Sequence, residues 1–183
     1  LNDSKKLSKK VREELYDVIL NNTINSTICI EVDEIEKYNI LNCSLKAMKL
    51  ACENVINQLI SSHSELVSES YQLENDKLID KNLLTIVDGN KLIRNYTYPQ
   101  QFIIKGDGKS ASIASASILA KVTRDRYMDK LDEEFPQYNW KKNAGYLTKE
   151  HQDAILKYGV TKYHRQSFLK KLLNPEPKQL SLI

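Results

Sequence analysis

Between Ser8 and Leu20, Val11, Leu15, Val18 and Ile19 recur at helical spacing, and Ser8 stands where an N-cap belongs. The pattern predicts a helix over 8–20, ended by Asn21-Asn22. "STICIEV" (Ser26–Val32) is short and rich in β-branched residues, which predicts a strand. Residues 39–60 predict a long amphipathic helix with Leu41, Leu45, Met48, Cys52, Val55 and Leu59 on one stripe. Met48 there reads as core packing. From Ser61 to Asn82 the chain turns polar, a surface excursion around a short helix in which His63 has no chemical role.

Two apolar runs follow, and each predicts a buried strand. "LLTIVDGN" (Leu83–Asn90) ends in Asp88-Gly89, and "QFIIKGD" (Gln101–Asp107) ends in Gly106-Asp107. "KSASIASASILAKVTRDRYMDKLDEEF" then predicts one long helix, stopped by Pro136. Its first half is nearly all Ala, Ser and Ile, so a second backbone can approach closely. A loop holding Trp140 and "AGYLT" leads to a shorter helix over about 149–158, with Thr148 as cap and Gly159 as terminator. The tail after 172 is peripheral. Strands alternating with helices make the chain α/β.

Composition narrows the class. Hydrophobic residues are 41% and charged residues 28% of the 183, with five glycines and four prolines, a globular balance. Cys29, Cys43 and Cys52 form no C-x-x-C pair and read as reduced, partly buried thiols of a cytosolic protein. No apolar run approaches the ~20 residues that cross a bilayer. Charge is distributed unevenly. Residues 31–80 hold ten acidic side chains against four basic ones, so the remainder carries +9 of a net +3. Basic ends around an acidic middle suit a polyanion-binding face and suit plain solubility equally well.

Asp88 and Asp107 carry the chemistry. Ligands of α/β sheets bind beyond the carboxyl ends of strands. Two carboxylates meeting there suit a hard divalent cation. Strand-ending Asp-Gly pairs also serve as plain turns, and the pattern leaves both readings open. "GDGKS" imitates the end of a phosphate-binding P-loop, but Ile103 stands where that motif needs glycine. What survives is a helix start flanked by Lys105 and Lys109 that suits one phosphate. Arg124 and Asp125 read as a local ion pair. From a helix start near Ser112, Asp125 lies about 20 Å along, too far to share a metal with Asp107. In "YHRQSF", His164 and Arg165 suit a phosphate contact or a structural turn. The lysines of "LNDSKKLSKK" read alone as a solvated helix start.

Taken in order, "LNDSKKL", "NIL…LKAM", "VDGN", "IIKGD", "ASILAKVTRDRYM", "GYLTKEH" and "HRQSF" resemble bacterial ribonuclease HII from residue 1 to about 169. The resemblance implies a ribonuclease-H-like α/β fold, a mixed sheet flanked by helices. It implies a catalytic core over 1–135 and a C-terminal helical, substrate-binding extension over 136–183. The implied activity is hydrolysis of the RNA strand of RNA–DNA hybrids and cleavage at ribonucleotides embedded in duplex DNA, leaving 3′-hydroxyl and 5′-phosphate ends. Four carboxylates of the family hold two Mg²⁺ or Mn²⁺ ions. By motif, Asp88 and Asp107 match metal ligands, and Asp125 matches a position outside that set. Tyr146 matches the tyrosine that packs on the ribose and senses its 2′-hydroxyl. Ser4, Lys5 and Lys6 match the segment that meets backbone phosphates, and Lys105 and Arg165 join them as substrate contacts. A cytoplasmic monomer is implied.

The sequence also departs from the family. The strand bearing Asp-Glu-Ala-Gly-Arg-Gly, which precedes "DSKKL" and supplies the first two carboxylates, has no match here. The expectation is a chain opening at a cut edge, whose 183 residues alone cut weakly or not at all. Asn143-Ala144 replaces the family's His-Lys before Gly-Tyr, and the polar stretch 61–82 is longer than expected. The alternatives are a non-catalytic hybrid- or duplex-binding module of the same fold, the related ribonuclease HIII group and, on "GDGKS" alone, a nucleotide-binding P-loop protein.

Overall fold

Ser8 accepts a hydrogen bond from the Val11 N–H at 3.3 Å and opens α1 (Lys9–Asn22), as its sequence predicts. The computed structural model describes residues 6–64 and 83–174, in two units: up to Cys29 with Leu41–Arg124, and Ile30–Ile40 with Asp125 onward. Ser4, Lys5 and nearly all of the 61–82 excursion lie outside the described residues, as does the side chain of His63.

The first unit contains α1, most of α3 (Ile40–Ser64), strands β1 (Thr85–Asp88) and β2 (Gln100–Ile103), and the first part of α4 (Ala111–Glu134). Its core joins Ile19 of α1 to Ile118, Leu119 and Val122 of α4, with Leu7, Leu15 and Tyr16 packed alongside. The small residues around Ile118 let α4 come close enough to leave that side chain fully buried. On α3 the buried positions are Cys43, Leu45 and Ile56, while Leu41 is exposed, so the expected stripe is rotated.

β1 and β2 pair in parallel, with Asp88 opposite Ile103. Gln100 braces the connection, accepting from the Ile93 N–H (2.7 Å) and donating to the Ile93 carbonyl (2.9 Å). Tyr96 shares a 2.7 Å hydrogen bond with Thr85 at the start of β1, and burial pushes its phenol up to about 12. The strands are less buried than the sequence predicts. Only Val87 of β1 is buried, and Phe102 in β2 is 44% exposed. Parallel strands become fully apolar inside when layers cover both faces, and the described residues place no such layer over Phe102.

The "STICIEV" strand is corrected by the structure. Residues 24–31 form no ladder, and Val32 instead starts helix α2 (Val32–Tyr38). A β-prone run becomes a strand only where another backbone takes up its N–H and C=O groups. Among the described residues only β1 and β2 pair. Asp33 and Glu34 favour the helix by placing negative charge in its first turn.

The second unit holds α2, the end of α4, a 3-10 turn at Pro136–Tyr138, α5 (Trp140–Asn143), α6 (Lys149–Tyr158) and α7 (Gln166–Leu173). Thr148 caps α6 by accepting from the His151 N–H, and Gly159 at φ 84° ends it, both as predicted. Trp140, expected in a loop, is buried in α5 with Leu131, Tyr138, Ala154, Ile155 and Leu169. Glu36 of α2 meets the start of α7, accepting from the Ser167 N–H (3.0 Å) and hydroxyl (2.7 Å). The Ser167 hydroxyl is the main reason the Glu36 carboxyl lies below the ordinary carboxylate range.

Candidate active site

The C-terminal ends of the parallel strands bring Asp88 and the Gly106–Asp107 turn together. Gly89 leaves β1 at φ 107°, and its N–H donates to the Ile103 carbonyl at 3.0 Å, extending the ladder past Asp88. The chain after β2 then passes Lys105 in the left-handed region (φ 55°) and enters a 3-10 turn, Gly106–Gly108. The Gly106 N–H donates to Asp88 Oδ1 at 2.8 Å. A side chain at 106 has no room, because a Cβ there lies 2.5 Å from Ile113 Cδ1 and 3.3 Å from Asp88 Oδ1. Glycine is therefore what lets the second strand's exit close against the first strand's carboxylate.

Asp88 is exposed and Asp107 half-buried. Beyond the bond from Gly106, neither carboxylate has a hydrogen-bonding or ionic partner among the described residues. These are oxygen donors at strand ends, the chemistry a hard divalent ion takes. Among the described residues no cluster of three or more His, Cys, Asp or Glu side chains gathers. The fit is therefore to two ligands of such an ion.

The other predicted residues are distributed over both units. Lys105 and Lys109 flank the turn; Lys109 Nζ donates to the Ile104 carbonyl at 2.9 Å, while Lys105 is exposed. Lys6 is exposed just before α1. Asp125 sits at position 15 of α4, about 21 Å along the axis from Ala111.

Tyr146 and Arg165 belong to the second unit. Arg165 lies 3.5 Å from Glu36 and its guanidinium stacks 3.7 Å from the Phe168 ring centroid, so the fold already uses it. Tyr146 is 70% exposed, on a loop whose preceding residues, Ala144 (φ 49°) and Gly145 (φ 81°), are both left-handed. Its backbone is held at both ends. The N–H donates to the Asn143 carbonyl (2.8 Å), and the carbonyl lies 3.0 Å from His151 Nδ1. Asn143 is buried; its amide donates to the Tyr138 carbonyl (2.7 Å) and accepts from the Gly145 N–H (2.8 Å). The residue that departs from the family pattern thus shapes the loop.

Sequence reasoning missed what lies under that loop. His151 and His164 are both buried, with their Nε2 atoms 3.2 Å apart, and Trp140 Nε1 donates to His151 Nε2 at 3.2 Å. His164 Nδ1 faces the Thr161 N–H and hydroxyl, each at 2.9 Å. Burial, and secondarily the neighbouring His151, lower His164 to about 4. One ring is on α6 and the other in the bend before α7, and their spacing offered no local signal for this.

The family profile described as Ribonuclease HII matches residues 1–171. A Flavobacterium psychrophilum protein named Ribonuclease HII is 45% identical over 189 residues, covering all of this chain and 81% of its own length. One from Christiangramia forsetii, with the same name, is 45% identical over all of this chain and 78% of its own. A Rickettsia bellii protein of that name is 47% identical over 94% of this chain and 75% of its own.

Proposed function

Because the chain belongs to the ribonuclease HII family and is a hydrolytic endoribonuclease acting on nucleic acid, we propose that it cuts RNA–DNA hybrids and duplex DNA at embedded ribonucleotides. The observation that carries this reading is the closure of Gly106 on Asp88, which sets two carboxylates at one end of the parallel pair.

In this reading Asp88 and Asp107 are ligands of divalent metal, Mg²⁺ or Mn²⁺, two ions being expected in the complete family site. Bound metal supplies an activated water and stabilises the leaving 3′-oxygen, which gives 3′-hydroxyl and 5′-phosphate ends. The chain's own residues do the rest. The Gly106 N–H fixes the Asp88 carboxylate in orientation, leaving Oδ2 for a ligand. Lys105 offers an exposed cation to a backbone phosphate, and Ser4, Lys5 and Lys6 contribute phosphate contacts before α1. Tyr146 presents its ring to the ribose, where the 2′-hydroxyl distinguishes RNA from DNA. Arg165, held by Glu36 and Phe168, orders the start of α7 and adds positive charge to the substrate-binding extension proposed over 136–183.

Residues 1–135 are the proposed catalytic core, in a cytoplasmic monomer. Among the described residues no helix is long and apolar enough to cross a membrane.

Incubation with a duplex containing one ribonucleotide, with Mg²⁺ or with a chelator, tests the reading. Cleavage 5′ to the ribonucleotide with 5′-phosphate ends, lost in Asp88→Asn, supports it. Tight hybrid binding without metal, and no cut, favours the non-catalytic binding module instead.

A further inference from the structure

The hydrogen bonds beneath Tyr146 run in one direction only. The Thr161 backbone N–H has a single proton to give, and it points at His164 Nδ1 (2.9 Å), so that nitrogen accepts. In the neutral ring the proton must then sit on Nε2 of His164, which faces His151 Nε2 at 3.2 Å. His151 Nε2 is also the target of the indole N–H of Trp140, a group that only donates. His151 Nε2 therefore accepts, and its proton sits on Nδ1, 3.0 Å from the Tyr146 carbonyl. Each bond determines the next, from Thr161 through both imidazoles to the loop.

We propose that His151, set in its Nδ1–H tautomer by Trp140 and His164, is the positioning residue that holds Tyr146 in place to read the ribose. The inference rests on the role given to Tyr146 above and adds the device that orients it. The groups facing the histidine pair are Tyr138 from the 3-10 turn (ring centroid 4.8 Å from that of His164), Trp140 from α5, and Thr161 from the α6–α7 connection. None is a carboxylate that could hold an imidazolium. A second proton on His164 lands on Nδ1, against the Thr161 N–H, and breaks the chain at its source. The low affinity of His164 for protons, about 4, fits that arrangement.

Two substitutions of similar size separate the donor from the bulk of the ring. Asn at 151 places an amide N–H near the Nδ1 position, and Gln places its amide near Nε2 and leaves the Tyr146 carbonyl with the Thr148 N–H (2.9 Å) as its remaining donor. On a duplex with one embedded ribonucleotide, His151→Gln in the full chain is expected to raise KM about tenfold with kcat within about twofold. His151→Asn is expected to stay near the parent value. In a Tyr146→Ala background the two are expected to become equal, since nothing remains to position. Equal KM increases for Asn and Gln, or a Gln effect that persists without Tyr146, overturn the inference. If Tyr146→Ala alone leaves KM unchanged, it is the reading of Tyr146 that fails instead.

A measurement without substrate keeps the question open to test if a variant does not fold. The chain has three histidines, so their ring nitrogens are separable by 15N NMR. The expected tautomers are Nε2–H for His164 and Nδ1–H for His151. The reverse pair, or a doubly protonated ring at neutral pH, excludes the chain of bonds.

Discussion

The strand-end carboxylates and the Tyr146 loop are built on opposite principles. Asp88 stands in water, oriented by one backbone N–H, on a two-stranded sheet in which Phe102 is left 44% exposed. Tyr146 is just as exposed, yet its main chain is fastened to a core where Trp140, His151, Ile155 and Leu169 are each at most 3% exposed. The first region leaves oxygen lone pairs unspent for a ligand. The second ties the loop's main chain to Asn143, Thr148 and His151, so an exposed ring gains a fixed address. Chemistry that recruits a metal needs open valence, whereas recognition by shape needs a rigid mount.

The comparison breaks most visibly at the carboxylates. Asp88→Asn or Asp107→Asn is expected to cut the cleavage rate by about 10³-fold, about 4 kcal/mol in transition-state terms, while thermal unfolding changes little. A rate within about tenfold of the parent removes them from the proposed metal site. The second region is expected to show the reverse. Ile155→Ala, at 1% exposure, is expected to cost about 3 kcal/mol of stability by denaturant titration. An unchanged midpoint refutes the rigid mount.

Acid sharpens the contrast further. The native fold keeps His164 neutral down to about 4, whereas an unfolded chain takes the proton near the ordinary 6.5. Between those values the unfolded state binds more protons, so stability is full above 6.5, falls as pH drops towards 4 and levels off below. For one group the folding constant changes at most about tenfold per pH unit there. His164→Phe should flatten that part of the stability profile; a slope unchanged in the variant assigns it elsewhere. The smallest effect expected is at the cap of α6. Thr148→Ala removes the bond to the His151 N–H and should cost about 1 kcal/mol. A loss under about 0.3 kcal/mol shows the helix held by packing alone.

What the sequence made legible was local. Ser8, Thr148 and Gly159 each announce a helix end because the bond or φ angle they supply involves residues only a few positions away. Asp88 and Gly106 could be flagged because strand-ending carboxylates beside glycine are visible in the order of letters. "STICIEV" misled for the converse reason, since strand formation depends on a partner that its own letters do not contain. The histidine pair was hidden too. His151 and His164 come from different elements, and only the turn at Thr161 brings their rings to 3.2 Å. His164 read as a phosphate contact or a turn residue, and it is a buried turn residue bonded to Thr161.

Trp140 is the single tryptophan of the chain, stacked at 5.1 Å on Tyr138 and hydrogen-bonded to His151. The molecule therefore carries one built-in optical probe, seated beneath the loop that presents Tyr146. Its emission reports the second unit alone. A shift on adding a ribonucleotide-containing duplex reads loop engagement in real time, without a label and without waiting for a bond to be cut.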